Sequence, residues 1–150
     1  MKHHRTWILI ADAGRARVLE SLGPGKGVHS VDGMASEASI PSSTHDIVAD
    51  RQGRSFESSN TMRHPLTPRT DPRDEMKRNY LEMLADQIHE RLQAGAFDKL
   101  ILVAPPAALG ILRAALSPQV GAAVAGELAK DLTKVPDHEL GSHLAEVIRI

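Results

Sequence analysis

The alternation of apolar and polar positions changes its rhythm several times along this chain, and each change marks an element. Trp7 to Ile10 is a continuous apolar run of the kind found in buried strands, and Arg17 to Leu22 reads as a second strand. Asp12-Ala13-Gly14 lies between them and supplies turn chemistry, with glycine free to take positive φ, so a β-hairpin is expected. "LGPGKG" breaks the second strand, and "VHSVDGM" offers a weaker third one carried by Val28 and Val31. Further on, Met76, Tyr80, Leu84, Ile88 and Leu92 recur at a spacing of four and form one apolar stripe. Lys77, Arg78, Glu82, Asp86 and Glu90 occupy the other faces of that helix. Asp71 suits its cap, Pro72 its first position and Gly95 its C-terminal stop.

"FDKLILVAPP" is again continuously apolar, as in a strand covered on both sides, and leads into a short helix, "ALGILRAALS", stopped by Pro118. "AAVAGELAKDL" fits strand or helix, and Gly126 together with its place after a helix favours a strand. The closing "PDHELGSHLAEVIRI" reads as helical, with Leu140, Leu144, Val147 and Ile148 on one face. This order predicts an α/β fold, a mixed β-sheet with an N-terminal hairpin and helices packed against it, in one domain over residues 1–150. Residues 41–70 interrupt the plan. Ser, Thr, Pro, Arg and His dominate there, apolar periodicity is lost, and a loop of that length inside a compact domain is commonly functional or disordered.

Composition narrows the function classes. The chain has 150 residues, 41% of them hydrophobic and 25% charged, which suits one globular domain with a sizeable core. Aromatic residues make up only 3%, so that core must be built from Leu, Ile, Val and Ala. A formal net charge of -1 argues against a strongly basic nucleic-acid binder while leaving room for a local basic patch. Without cysteine there is no disulfide framework and no thiolate metal site, which suits the cytoplasm. The apolar stretch around Ile101 to Leu112 holds two prolines and a glycine and is too short for a bilayer. "MKHHRTWILIAD" stops at Asp12, short of a signal-peptide core, so neither a membrane partner nor export is expected. His3 and His4 read as a polar end rather than a metal site.

Most familiar chemistry is absent. In "HELGSH", His138 and His143 are five apart, which on a regular helix turns the rings about 140° from each other, so they do not share a zinc ion. Glu139 and His143 suit a surface pair instead. "GPGKG" lacks the spacing and the Ser/Thr of a P-loop and reads as a turn, and no Gly-x-Ser-x-Gly elbow is found. Asp12, Asp50, Asp71 and Asp98 would support a metal-dependent nuclease or hydrolase if they converged. Asp12 and Asp50 are the weak metal candidates of that reading, although the turn already accounts for Asp12. Arg51 and Arg54, with Arg63 and Arg69, suit phosphate contact, against a mixed-charge loop in which Asp46, Asp50 and Glu57 nearly cancel them. No catalytic residue and no cofactor is assigned, and the small-molecule substrate, if any, stays unknown; a homo-oligomer is compatible with the sequence.

The segments "WILIADAGRARVLE", "DRQGRSFES", "LILVAPPAALGILRAALS" and "ELAKDLTKVPDHEL" stand in an order that resembles the bacterial host-attachment proteins. That family in turn looks like the middle domain of archaeal and eukaryotic peptide-chain release factors and of Pelota. The resemblance implies a β-hairpin and third strand, a loop, a long helix and a strand–helix pair. "DRQGRSFESS", residues 50–59, falls where release factors carry Gly-Gly-Gln. Here the stretch is Arg51-Gln52-Gly53-Arg54, and Arg51 lacks the backbone freedom of glycine, so the resemblance implies a binding loop rather than peptide release. On that basis the expected function is a non-catalytic module contacting the ribosome or structured RNA through Arg51, Gln52, Gly53 and Arg54, with Arg15 at the hairpin turn assisting. An attachment-related role, direct or indirect, and the metal-dependent hydrolase are the alternatives.

Overall fold

A computed structural model describes residues 4–40 and 71–150. The hairpin forms as expected from β1 (Thr6–Ala11) and β2 (Arg15–Ser21), paired antiparallel in register from Thr6 opposite Ser21 to Ala11 opposite Ala16. β3 (Val28–Ser30) continues the meander on the far side of β2, after a glycine turn closed by the Leu22 N–H donating to the Gly27 carbonyl. A two-residue strand, β4 (Ser36–Glu37), also pairs with β2, and it carries no periodic signal by which it is recognisable in the sequence.

The long helix α1 (Pro72–Gln93) begins and ends where the sequence places it. The Asp71 carboxylate accepts the Arg73 N–H, and Gly95, at φ 77°, reverses the chain while the Ala96 N–H donates to the Arg91 carbonyl. Its buried positions are Tyr80, Leu81, Leu84, Ala85 and Ile88, a stripe wider than the spacing of four implies, and Met76 and Leu92 are only half-buried at its ends. α1 returns the chain to β5 (Lys99–Val103), which lies parallel to β1. α2 (Pro106–Ala115) and α3 (Pro118–Ala123) then lead to β6 (Val124–Leu128), parallel to β5. The sheet order is β3-β2-β1-β5-β6, so the mixed sheet and α/β class stand as read from the sequence.

Two sequence expectations give way. Pro118 does not merely stop a helix: it is the first residue of α3, capped by the Ser117 hydroxyl on the Val120 N–H. The closing segment is not one long helix. It is a 3-10 turn (Asp137–Glu139) and a five-residue α4 (Leu140–Leu144). Gly141 and the β-branched Val147, Ile148 and Ile150 are poor helix formers, and partial burial of the last three against the second core holds the segment on the sheet without winding it.

Period-two alternation assigns the strand residues to two cores. Trp7, Leu9, Ala11, Val18, Leu100 and Leu102 face α1, α2 and α3. Ile8, Ile10, Leu19, Ile101 and Val103 face Leu128, Leu132, Leu140 and Leu144 of the C-terminal segment. A sheet covered on both sides is why β1 and β5 are apolar after their first residues, Thr6 and Lys99. Gly126 admits the second cover closely, since a β-carbon there would lie 3.3 Å from Ile101 Cδ1 and 3.4 Å from Val147 Cβ. The lone tryptophan stacks on Phe97, ring centroids 4.9 Å apart.

One polar link ties β4 to the long helix. The Tyr80 hydroxyl is 2.7 Å from Ser36 Oγ and donates to the Ser36 carbonyl at 3.2 Å, and burial pushes its pKa above the ordinary value of 10.0. The folded state therefore binds this proton more tightly than the unfolded chain. Stability contributed by Tyr80 is complete below about pH 10 and is lost as pH rises through the elevated folded value. Tyr80→Phe is expected to cost about 1 kcal/mol at pH 7 and to flatten the loss of stability above pH 10 relative to the parent. Urea unfolding at pH 7 and across pH 9–11 checks both, and parallel alkaline slopes for the two proteins would refute the assignment.

Candidate functional site

Parallel neighbours β1 and β5 send the chain in opposite directions, β1 to the hairpin and β5 to α2 and β6. A crevice opens outside their carboxyl ends at such a switch point, because no crossover covers it. Here it is a cleft of about 700 Å³, within the usual range for small-ligand sites. The hairpin turn Asp12-Ala13-Gly14 forms one side, Arg73, Asp74, Lys77 and Arg78 of α1 a second, and Pro105, Ala107 and Ile111 a third. Ile40 and the opening turn of α1, the described residues that flank 41–70, also line it.

Asp12 is a turn residue. One carboxylate oxygen accepts the Gly14 N–H at 2.7 Å and the Arg15 N–H at 2.8 Å, and the other accepts the Thr133 hydroxyl at 3.3 Å. Gly14 does not take positive φ, contrary to expectation, because the Asp12 side chain makes the turn by itself. Among the described residues no three His, Asp or Glu side chains gather as metal ligands would, and Asp50 lies outside them.

The expected binding residues are divided. Arg51, Gln52, Gly53 and Arg54 lie outside the described residues. Arg15 is at the hairpin turn, as anticipated, but its guanidinium donates to Glu37 at 2.8 Å on the face of the sheet away from α1. Both partners are substantially exposed, so the pair contributes at most about 1 kcal/mol and opens readily to a stronger anion. In the HELGSH stretch, Glu139 pairs with His138, at 3.7 Å, rather than with His143, because the chain there is a 3-10 turn and not a regular helix.

Two cations that the sequence assigned only to the polar faces of α1 emerge as cleft residues, Lys77 and Arg78. No ion pair or hydrogen bond engages either side chain among the described residues. Arg73, beside them, is held by the Asp71 carboxylate at 2.8 Å, and that hydrogen bond raises its pKa further. Asp74 lies in the same wall without pairing with Lys77 or Arg78. Among the described residues this wall thus carries three cations and one carboxylate, Asp74, beside an apolar surface. Residue spacing alone contains a weak signal for this, the adjacent Lys77-Arg78 pair one turn inside the helix.

A family model described as "Protein required for attachment to host cells" matches residues 7–144. No curated protein matches the chain at a significant level. Among solved structures, an archaeal protein is similar over 96% of this chain and 34% of its own, at 13% identity and a TM-score of 0.50. The crystal structure of an archaeal translation termination factor, aRF1, is similar over 95% of this chain and 41% of its own, at 12% identity and a TM-score of 0.48. This chain therefore spans about a third of the length of the first of these and well under half of the second. No described helix is long and apolar enough to cross a membrane.

Proposed function

This chain belongs to the family of proteins required for attachment to host cells, and from that premise and the charges of the cleft we infer that it is a non-catalytic binding module for structured RNA, including ribosomal RNA. The observation that carries the reading is Lys77 and Arg78, two cations without a carboxylate partner among the described residues, on the cleft that the flanks of residues 41–70 also line. Paired surface cations contribute to packing and solubility; unpaired ones beside an apolar wall are available to phosphate. In this proposal Arg51 and Arg54 add further phosphate contacts, Gln52 and Gly53 lie between them, and Arg15 contributes when it leaves Glu37. A net charge of -1 is consistent with a local patch rather than a wholly basic surface. The protein would then work in the cytoplasm, and the attachment named by the family would follow indirectly.

Titration of a fluorescent RNA hairpin, followed by anisotropy at two salt concentrations, tests the reading. Lys77→Ala/Arg78→Ala is expected to weaken binding about tenfold or more and to reduce the salt slope by about 2. Arg51→Ala/Arg54→Ala is expected to do the same independently. Equal, weak, salt-insensitive binding by all three proteins would sink the proposal. The family description favours a second reading, a direct role in attachment, and cell fractionation separates the two: ribosome-associated in the cytoplasm, or displayed outside.

A further inference from the structure

We propose that the cleft at the ends of β1 and β5 seats a single phosphate-bearing nucleoside, its phosphate on Lys77 and Arg78 and its base against Ile40, Pro105 and Ile111. The inference rests on the reading of Lys77 and Arg78 as phosphate contacts and adds a pocket to it. A backbone-tracking RNA surface needs only exposed cations. This place has in addition a volume of about 700 Å³ and half-buried apolar residues lining it together with the charges. Ile40, Pro105 and Ile111 are each partly accessible, so the wall presents apolar area that a planar base would cover.

The neighbouring cavity of about 440 Å³ makes the contrast. It is lined by Arg15 and Arg17 as well, yet both guanidiniums are taken up, Arg15 by Glu37 and Arg17 by Asp137 and the Leu132 and Val135 carbonyls. Positive charge there already has a partner, and at Arg17 it holds the fold together. In the larger cleft, the carboxylates among the described lining residues are Asp74 and Asp12, the latter held by the turn N–H groups and the Thr133 hydroxyl, against the three cations Arg73, Lys77 and Arg78. Lys77 is half-buried and Arg78 exposed, and both line the cleft. A monophosphate spanning both would meet a point charge and a planar fork, an arrangement suited to a terminal phosphate with oxygens free on several sides.

Calorimetry on the full chain tests the seat with inorganic phosphate, adenosine and AMP. AMP is expected to bind about tenfold tighter than either fragment, since phosphate lacks the apolar contact and adenosine the charge. Two variants are expected to lose that binding by about tenfold while keeping the parent's tryptophan emission: Lys77→Ala/Arg78→Ala, and Ala107→Glu. Ala107 is exposed in the first turn of α2 and lines the cleft, where a carboxylate is tolerated by the helix and would bring negative charge to the proposed seat. AMP binding no tighter than phosphate, or unaltered in Ala107→Glu, overturns the inference. Competition then separates it from the RNA reading. Hairpin RNA that needs Lys77 and Arg78 but is not displaced by AMP leaves the RNA reading standing and removes the nucleotide seat. AMP binding without RNA binding does the reverse. Preference for a 5′-phosphorylated hairpin over its 5′-hydroxyl form assigns the seat to a chain end; indifference, with AMP still binding, assigns it to a free nucleotide.

Discussion

Leu102→Ala is expected to destabilise the protein by about 4 kcal/mol, in the upper part of the range for a buried leucine. Leu102 is 0% exposed in β5, the strand hydrogen-bonded to β1 on one side and β6 on the other. It faces the larger of the two cores, where α1 and α2 meet the sheet among other buried side chains. The penalty therefore combines lost transfer free energy with a cavity that collapses only in part. Trp7, the lone tryptophan, lies in the same core against Phe97, so its emission reports unfolding in urea directly. Met83→Ala, on the exposed side of α1 at 39% exposure, is the control and is expected to change stability by less than about 0.5 kcal/mol. A Leu102→Ala loss below about 1 kcal/mol would mean that the two-sided sheet core is wrong.

The second large effect is expected at Arg17, which the apolar pattern treats merely as the start of a strand. Its guanidinium donates to the Asp137 carboxylate at 2.5 Å, to the Leu132 carbonyl at 3.1 Å and to the Val135 carbonyl. These contacts bridge β2 to a segment more than a hundred residues later and hold it across the second face of the sheet. Arg17→Ala would leave Asp137 and the Val135 carbonyl without this donor, while the Leu132 carbonyl keeps the Val135 N–H, and the expected cost is about 2–4 kcal/mol. Arg17→Lys is expected to recover less than half of it, because one ammonium cannot reach three acceptors laid out for a planar fork. Hydrogen exchange gives the sharper check. Amides of residues 132–144 should exchange faster in both variants while α1 remains protected. Uniform loss of protection throughout the chain would show that Arg17 acts on global stability and is not a local fastener.

These two residues illustrate what was legible in advance. Leu102 belongs to a run whose unbroken apolarity already implied a strand covered on both faces, and the structure has that strand inside the sheet, between β1 and β6. The helix from Pro72 to Gln93 was legible for similar reasons, since its cap, first proline, stripe and terminal glycine are all local signals. Arg17 was not legible, because its partners are set by which segment crosses the far side of the sheet. The closing helix was overread for the same reason. Its spacing of apolar residues satisfies a helical face, yet those side chains are buried by a short turn and an irregular strap.

The candidate site divides along the same line. Asp12 as a turn residue follows from its neighbours, and the adjacent Lys77 and Arg78 are plain in the sequence as members of a polar face. That they border a cleft opposite Pro105 and Ile111 depends on β1 and β5 lying side by side and parallel, a pairing between residues some ninety positions apart. By itself, then, the sequence determined the element types, the hairpin, the capped helix and the α/β class, because these rest on periods and caps read within a few residues. Only the tertiary structure decided the strand order, the layer that covers each face, and which cations are left without carboxylates among the described residues. Those outcomes depend on long-range pairing, and no local pattern of side chains encodes which distant charge will arrive to neutralise another.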